Sequence, residues 1–234
     1  MKKSDIKTGA IWEIPLEKDY GYAYAKLIFS KDVQPDYFDY RIIRVYNRYR
    51  AEPLPKREFV PEAFATDDLA LYPLLASGFP NVRGPHKWRF LGHAPLTEED
   101  RIIPDYADIG MHERYHSDSI REWTTTEFGC AIIRNFENYR IYTKDFASIR
   151  HLGFWVHQHP RMIRSCVTMY WMHRHGTPLH DHYSNDELNN NYQFHRAARR
   201  VLDYDVDFTQ VTRSDRLQPA FREYLIPGRI RPKS

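Results

Sequence analysis

Between residues 9 and 29 the chain reads GAIWEIPLEKDYGYAYAKLIF, with its apolar residues recurring at every second position. Trp12, Ile14 and Leu16 share one face, and after a polar stretch at 17–21 the alternation resumes with Ala23, Ala25, Leu27 and Phe29. A period of two excludes a helical stripe and predicts a β-hairpin with its turn at 17–21. The other face of the second strand carries Tyr22, Tyr24, Lys26 and Ile28, too aromatic for open water. A second layer of the chain or another molecule must cover it. Pro15 cannot donate to a ladder, which places the first strand at an edge or puts a bulge there.

The rest of the first half extends this pattern. YFDYRIIRVY, 37–46, reads as a third strand, and the prolines at 53, 55 and 61 mark a loop crossing. The Ala- and Leu-rich stretch 62–76 predicts short helical turns interrupted by Pro73. KWRFLG, 87–92, is a fourth strand with Trp88 and Phe90 on one face. Thr97, three residues before Asp100, is an N-cap signal for a short turn, and Glu98, Glu99 and Asp100 fit as charge at a helix start.

With 234 residues, 42% of them hydrophobic and 15% aromatic, the chain can bury a core, so disorder is excluded. No window approaches the roughly 18 to 20 consecutive apolar residues of a membrane span, and the mean hydropathy is −0.69. The opening MKKSDIKTG has no apolar segment behind it, unlike a signal peptide. These features predict a cytoplasmic protein without a membrane partner. Cys130 and Cys166 are too few for a disulfide scaffold or a four-cysteine zinc site. A net charge of +3, with acids and bases interleaved, disfavours nucleic acid as partner. The nearest basic groupings are Arg196, Arg199 and Arg200, and the tail Arg229, Arg231 and Lys233.

The ordered set GAIWEIPLE, GYAYAKLIF, RIIRVY and SGFPNVRGPHKWRFLGHAPLTEED resembles the immunity protein 26 family of bacterial polymorphic toxin systems. There an opening strand ending in IPL, a GxYxYxxxL strand and a KWxxxGxxPL segment recur in this order, and the resemblance covers residues 6–105. It implies a non-enzymatic immunity protein that binds and neutralises a cognate toxin domain, without cofactor or catalytic residues. The matching residues Gly9, Ile14, Pro15, Leu16, Gly21, Trp88 and Gly92 fit fold-holding roles. Family members are shorter than this chain, so the resemblance carries nothing over to its second half.

In that half the polar run 108–119 marks a boundary between a β-rich unit, 1–109, and an α+β extension, 110–234. Residues 127–134 and 139–143 predict another hairpin, and 145–152 a helical turn. PRMIRSCVTMYWMHRH, 160–175, is the clearest helix: Pro160 suits the first position and Gly176 the residue after the end. Ile163, Cys166, Val167 and Tyr170 form its apolar stripe. Ser184 with Glu187 forms a capping box for a second helix running to 203, and Val206, Phe208 and Val211 suit one more strand. The fold class expected is α+β: an antiparallel, strongly twisted sheet in the first half, with helices mainly in the second half packing beside it.

His151, His157, His159, His173, His175, His180, His182 and His195 crowd the second half, and imidazole is a common metal ligand. His173 and His175 point about 200° apart on a helix. His157 with His159, and His180 with His182, are free of that restriction, with Asp181 or Asp186 as oxygen donors. A metal-dependent enzyme using these histidines is therefore the alternative function, and a nucleic-acid-associated module the second. No H-E-x-x-H, G-x-S-x-G, phosphate-loop or dinucleotide motif supports catalysis. Cys166, on an apolar stripe, fits core packing better than nucleophilic chemistry. For toxin binding the exposed candidates are Tyr20, Tyr22, Tyr24, Tyr37 and Asp39, since inhibitor interfaces rest on a few aromatic anchors.

Overall fold

A computed structural model describes residues 6–35, 39–66, 68–78, 80, 83–104, 106–115, 121–134, 139–142, 153–154, 157–184, 187–188 and 231–232. From 107 to 154, and at 231–232, it describes the backbone alone. The fold is α+β, built on a mostly antiparallel six-stranded sheet.

The hairpin forms as the alternation demands. β1 (Ala10–Pro15) pairs antiparallel with β2 (Tyr22–Phe29), in a register running from Ala10 opposite Leu27 to Pro15 opposite Tyr22. β1 is an inner strand, however, because β5 (Arg89–His93) pairs along its other side. Pro15 is tolerated there because the β1–β5 pairing ends at Glu13 opposite Arg89, before its missing N–H is needed. The register irregularity lies between Ile11 and Trp12, away from Pro15.

A short helix α1 (Ser30–Val33) follows β2, and then β3 (Arg41–Arg50), four residues beyond the span the sequence predicts. The stretch 62–76 departs further. Its start is a 3-10 turn, Pro61–Phe64, but its end is β4 (Leu74–Ala76), which pairs antiparallel with β3. On its far side β4 pairs in parallel with β10 (His157–Gln158), which makes the sheet mixed. The strand order is β10-β4-β3-β2-β1-β5.

Both faces of this sheet are buried. Ala10, Trp12, Ile14, Leu16, Ala23, Ala25 and Leu27 pack with Ile43 and Val45 against Ile163 and Val167 of helix α2 (Pro160–Arg174). On the opposite face Ile11, Tyr24 and Tyr46 pack with Leu54, Phe64, Leu69 and Leu91. The Tyr24 face is thus covered within the first half, by the loop after β3, while the second half supplies the helix on the alanine and leucine face. Large apolar side chains buried in this way stabilise by about 1.5–3 kcal/mol each.

Helix α2 has the ends its sequence encodes. His159 caps it, its Nδ1 accepting the Arg161 N–H at 3.3 Å, and Pro160 opens it. Gly176 takes φ +66°, and the bonds from Thr177 N–H to the Met172 carbonyl (2.8 Å) and from Gly176 N–H to the His173 carbonyl (3.1 Å) form a Schellman closure. Ile163, Cys166 and Val167 are buried and Tyr170 half-buried. At the next helix start the expected capping box forms: Glu187 N–H donates to Ser184 Oγ at 3.1 Å, and Ser184 N–H to Glu187 Oε2 at 2.9 Å. The continuation of that helix to 203, the helical turn at 145–152 and the strand at 206–211 lie outside the described residues.

A second sheet has the order β11-β8-β7-β6-β9, made of β6 (Tyr106–Tyr115), β7 (Arg121–Arg134), β8 (Tyr139–Tyr142), β9 (Gly153–Phe154) and β11 (Arg231–Pro232). The hairpin expected around 127–143 is present as β7 and β8. Most of the polar run 108–119, read as a boundary, is strand β6. Among the described residues no helix is long and apolar enough to cross a membrane.

Candidate functional site

The turn between β1 and β2 concentrates the unusual geometry. Tyr20 N–H donates to the Glu17 carbonyl at 3.1 Å and Leu16 N–H to that of Gly21 at 2.8 Å, closing a tight turn with Lys18 and Asp19 at its centre. Both central residues have positive φ, 47° and 56°. A turn of this hand favours Asn-Gly, because side chains other than those of Asn and Asp crowd their own backbone there. Gly21 is required: at φ +99° an added Cβ would stand 2.2 Å from the Arg50 carbonyl oxygen.

Side chains of α2 and of the segment after it fasten this turn. Glu17 N–H donates to Thr168 Oγ1 at 3.1 Å, and the Arg164 guanidinium reaches the carbonyls of Pro15 (2.7 Å) and Leu16 (2.9 Å). The Glu17 carboxylate accepts from Ser165 Oγ at 2.8 Å, Tyr183 Oη at 2.6 Å and His182 Nε2 at 3.0 Å, with Arg164 at 3.7 Å. Burial pushes the carboxyl up, but the donors Tyr183, Ser165 and His182 and the Arg164 charge outweigh it and hold Glu17 below the ordinary carboxylate value. Burial and the same carboxylate push the Tyr183 phenol up, so it stays a donor. His182 Nδ1 is buried and has no hydrogen-bond partner among the described residues. Lys18 Nζ donates to the Asp181 carbonyl at 2.8 Å.

An aromatic column stands beside the turn. Tyr20 stacks on Trp171 (4.6 Å between centroids), Trp171 on His175 (4.2 Å), and Tyr49 meets His175 edge-on (6.1 Å). His175 Nδ1–H donates to the Trp171 carbonyl at 2.8 Å, which orients the ring. Tyr20, Tyr49 and Trp171 are half-buried and His175 exposed, so the edge of the column faces solvent. The carboxylate network and the column together place charged and aromatic groups side by side around the turn.

The expected contact residues do not form one site. Tyr20 belongs to the column, and Tyr22 is half-buried at the start of β2. Tyr24 corrects the expectation of exposure: it is 0% exposed, edge-on to Phe64. Tyr37 lies outside the described residues. Asp39 is exposed just before β3, at the opposite end of β2 from Tyr22, on the order of 20 Å away at strand rise.

The histidines also scatter. His157 on β10 packs against Tyr40, and burial and the Arg41 charge lower its pKa. His159 caps α2, His180 is exposed, and His182 is bonded to Glu17. Among the described residues no three of His, Cys, Asp and Glu are grouped so as to hold a metal ion. Cys166 is buried, its Sγ 3.5 Å from Gln158 Oε1.

A second polar cluster has no counterpart among the expected sites. Lys26 and Arg44, opposite each other on β2 and β3, are buried against Asp100, with Lys26 Nζ at 2.6 Å and Arg44 Nε at 3.4 Å. Thr97 N–H donates to Asp100 Oδ2 at 2.9 Å and Asp100 N–H to Thr97 Oγ1 at 3.1 Å, so the predicted cap also aims the carboxylate inward. The signal in the sequence was Lys26 between Tyr24 and Ile28 on a face too apolar for water.

No protein-family model matches the chain, nor does any curated protein or solved structure.

Proposed function

We propose that the protein is a non-enzymatic, cytoplasmic binding protein that neutralises a cognate bacterial toxin domain by stoichiometric contact. The observation that carries this reading is the braced surface at the first hairpin, where stacking and hydrogen bonds within the chain position the Tyr20, Trp171 and His175 rings and the charged turn. Preorganisation of this kind lowers the ordering cost of association, and Trp, Tyr and Arg dominate the energetics of inhibitor interfaces.

The motif residues behind the resemblance to immunity protein 26 also suit a shared scaffold. A Cβ at Gly9 would stand 2.8 Å from the Ala94 carbonyl oxygen, and one at Gly92 would stand 2.4 Å from the Phe59 ring. Ile14, Leu16 and Trp88 are buried. Such positions maintain a fold, and contact residues then vary around them. The test is to co-express the chain with candidate toxin domains, taken from the C-terminal ends of any large secreted proteins encoded near it. Rescue of growth together with a purified complex is the expected result; no rescue and no complex would end the proposal.

A further inference from the structure

The two central turn residues combine three properties. Lys18 holds left-handed backbone that glycine, asparagine or aspartate adopts more readily, Lys18 and Asp19 are both exposed, and they present opposite charges side by side. Closing the hairpin does not require them, because Asn-Gly closes such a turn with less strain. Nor do their own contacts explain them. The bond from Lys18 Nζ to the Asp181 carbonyl joins exposed groups, and such surface contacts contribute little. Asp19 makes no hydrogen bond or ion pair among the described residues, and its charge acts on Arg164 only through space. Meanwhile Arg164, Thr168, Ser165, His182 and Tyr183 all hold the turn in place from beneath. Strain that persists because its surroundings over-determine it, at an exposed position, is the mark of a displayed contact.

We infer that Lys18 and Asp19 are the leading contact residues of the partner-binding surface, inserted with the Tyr20 edge into a polar cleft of a folded protein domain. The inference rests on the toxin-binding reading above and names its contact point. A two-residue tip fits a cleft better than a flat face, and adjacent opposite charges ask for a lining that offers both an acid and a donor. Nucleic acid fits poorly, because Asp19, with Asp181 also exposed nearby, would face phosphates.

The experiment uses the full chain, with the toxin domain found by the co-expression test as probe, comparing wild type with the double variant Lys18→Gly, Asp19→Gly. Glycine relieves the left-handed strain, so the melting midpoint is expected to hold or rise by roughly 2–4 °C, while affinity for the toxin domain falls at least about tenfold. A second variant, Lys18→Asn with Asp19→Asn, installs residues that tolerate this backbone and removes both charges, together with the Lys18 bond to the Asp181 carbonyl, and is expected to weaken binding in the same direction. A lower midpoint in the glycine variant would overturn the strain premise. Full affinity in both variants would remove the tip from the interface and leave the toxin-binding reading standing. Failure of the wild type to bind the toxin domain would overturn both.

Discussion

The Tyr183 hydroxyl donates to Glu17 Oε2 at 2.6 Å, across 166 positions of sequence. One early carboxylate thereby ties the first hairpin to a segment near the end of the described chain. Apolar contacts run alongside it: Tyr20 and Trp171 pack against Met169, Met172, Leu179, Tyr183 and Leu188. The carboxylate sets orientation and the apolar groups supply most of the adhesion.

Replacing Glu17 with Gln removes the charge that three donors share and is expected to cost about 1–3 kcal/mol of stability. Tyr183→Phe removes one donor and leaves Ser165 and His182 in place, so it should cost less, about 1 kcal/mol. Urea unfolding monitored by circular dichroism gives the order. Equal losses in the two variants would show that the other donors contribute nothing.

The pH dependence follows from the lowered Glu17 carboxyl. A group with a depressed folded pKa contributes stability above its unfolded value, here the ordinary 4.5, and that stability is lost as pH falls through the folded value. The difference in unfolding free energy between wild type and Glu17→Gln should therefore stay constant from neutral pH down to about 5 and shrink below about 4.5. A difference that grows in acid would contradict the assignment.

Two glycines should separate backbone constraint from side-chain crowding. Gly21→Ala places a methyl 2.2 Å from a carbonyl oxygen at φ +99°, where neither group can yield, and is expected to cost about 2–4 kcal/mol. At Gly92 the added methyl meets the Phe59 ring, which can swing aside, so the cost should be about 1–2 kcal/mol. Thermal melts of the two variants test the ranking.

Asp100→Asn removes the carboxylate shared by buried Lys26 and Arg44. Breaking a buried ion cluster on one side typically costs 3–5 kcal/mol, so this change should rank among the most damaging in the chain. Because the cluster is shielded from solvent, the loss should vary little between low and moderate salt. A loss that disappears in salt would place the cluster at the surface.

The elements legible in the sequence are those whose cause is local. Alternation around Trp12 and Leu27 reveals the hairpin, and Pro160, Gly176 and the Ser184–Glu187 box mark helix ends, because caps and turns are satisfied within a few residues. β4 was hidden because Leu74 to Ala76 have no strong strand preference of their own. Their neighbours, β3 and the much later β10, impose extension on them. Tyr24 was misjudged because its cover comes from Leu54 and Phe64, beyond the span where a period is visible. The partners in the Glu17 and Asp100 clusters are hidden for the same reason: nothing near Glu17 announces His182 or Tyr183, and Lys26 on its apolar face signals a buried charge without naming Asp100.

The helix that covers the Trp12 and Leu27 face spans residues 160–174, and this sets a schedule for synthesis. Until the ribosome has released that segment, the apolar face of the nascent hairpin is shielded only in part, by Ala70, Leu71 and Trp88. A fragment ending near residue 105 would leave uncovered the part of that surface that meets Ile163 and Val167, and should associate more readily than the full chain.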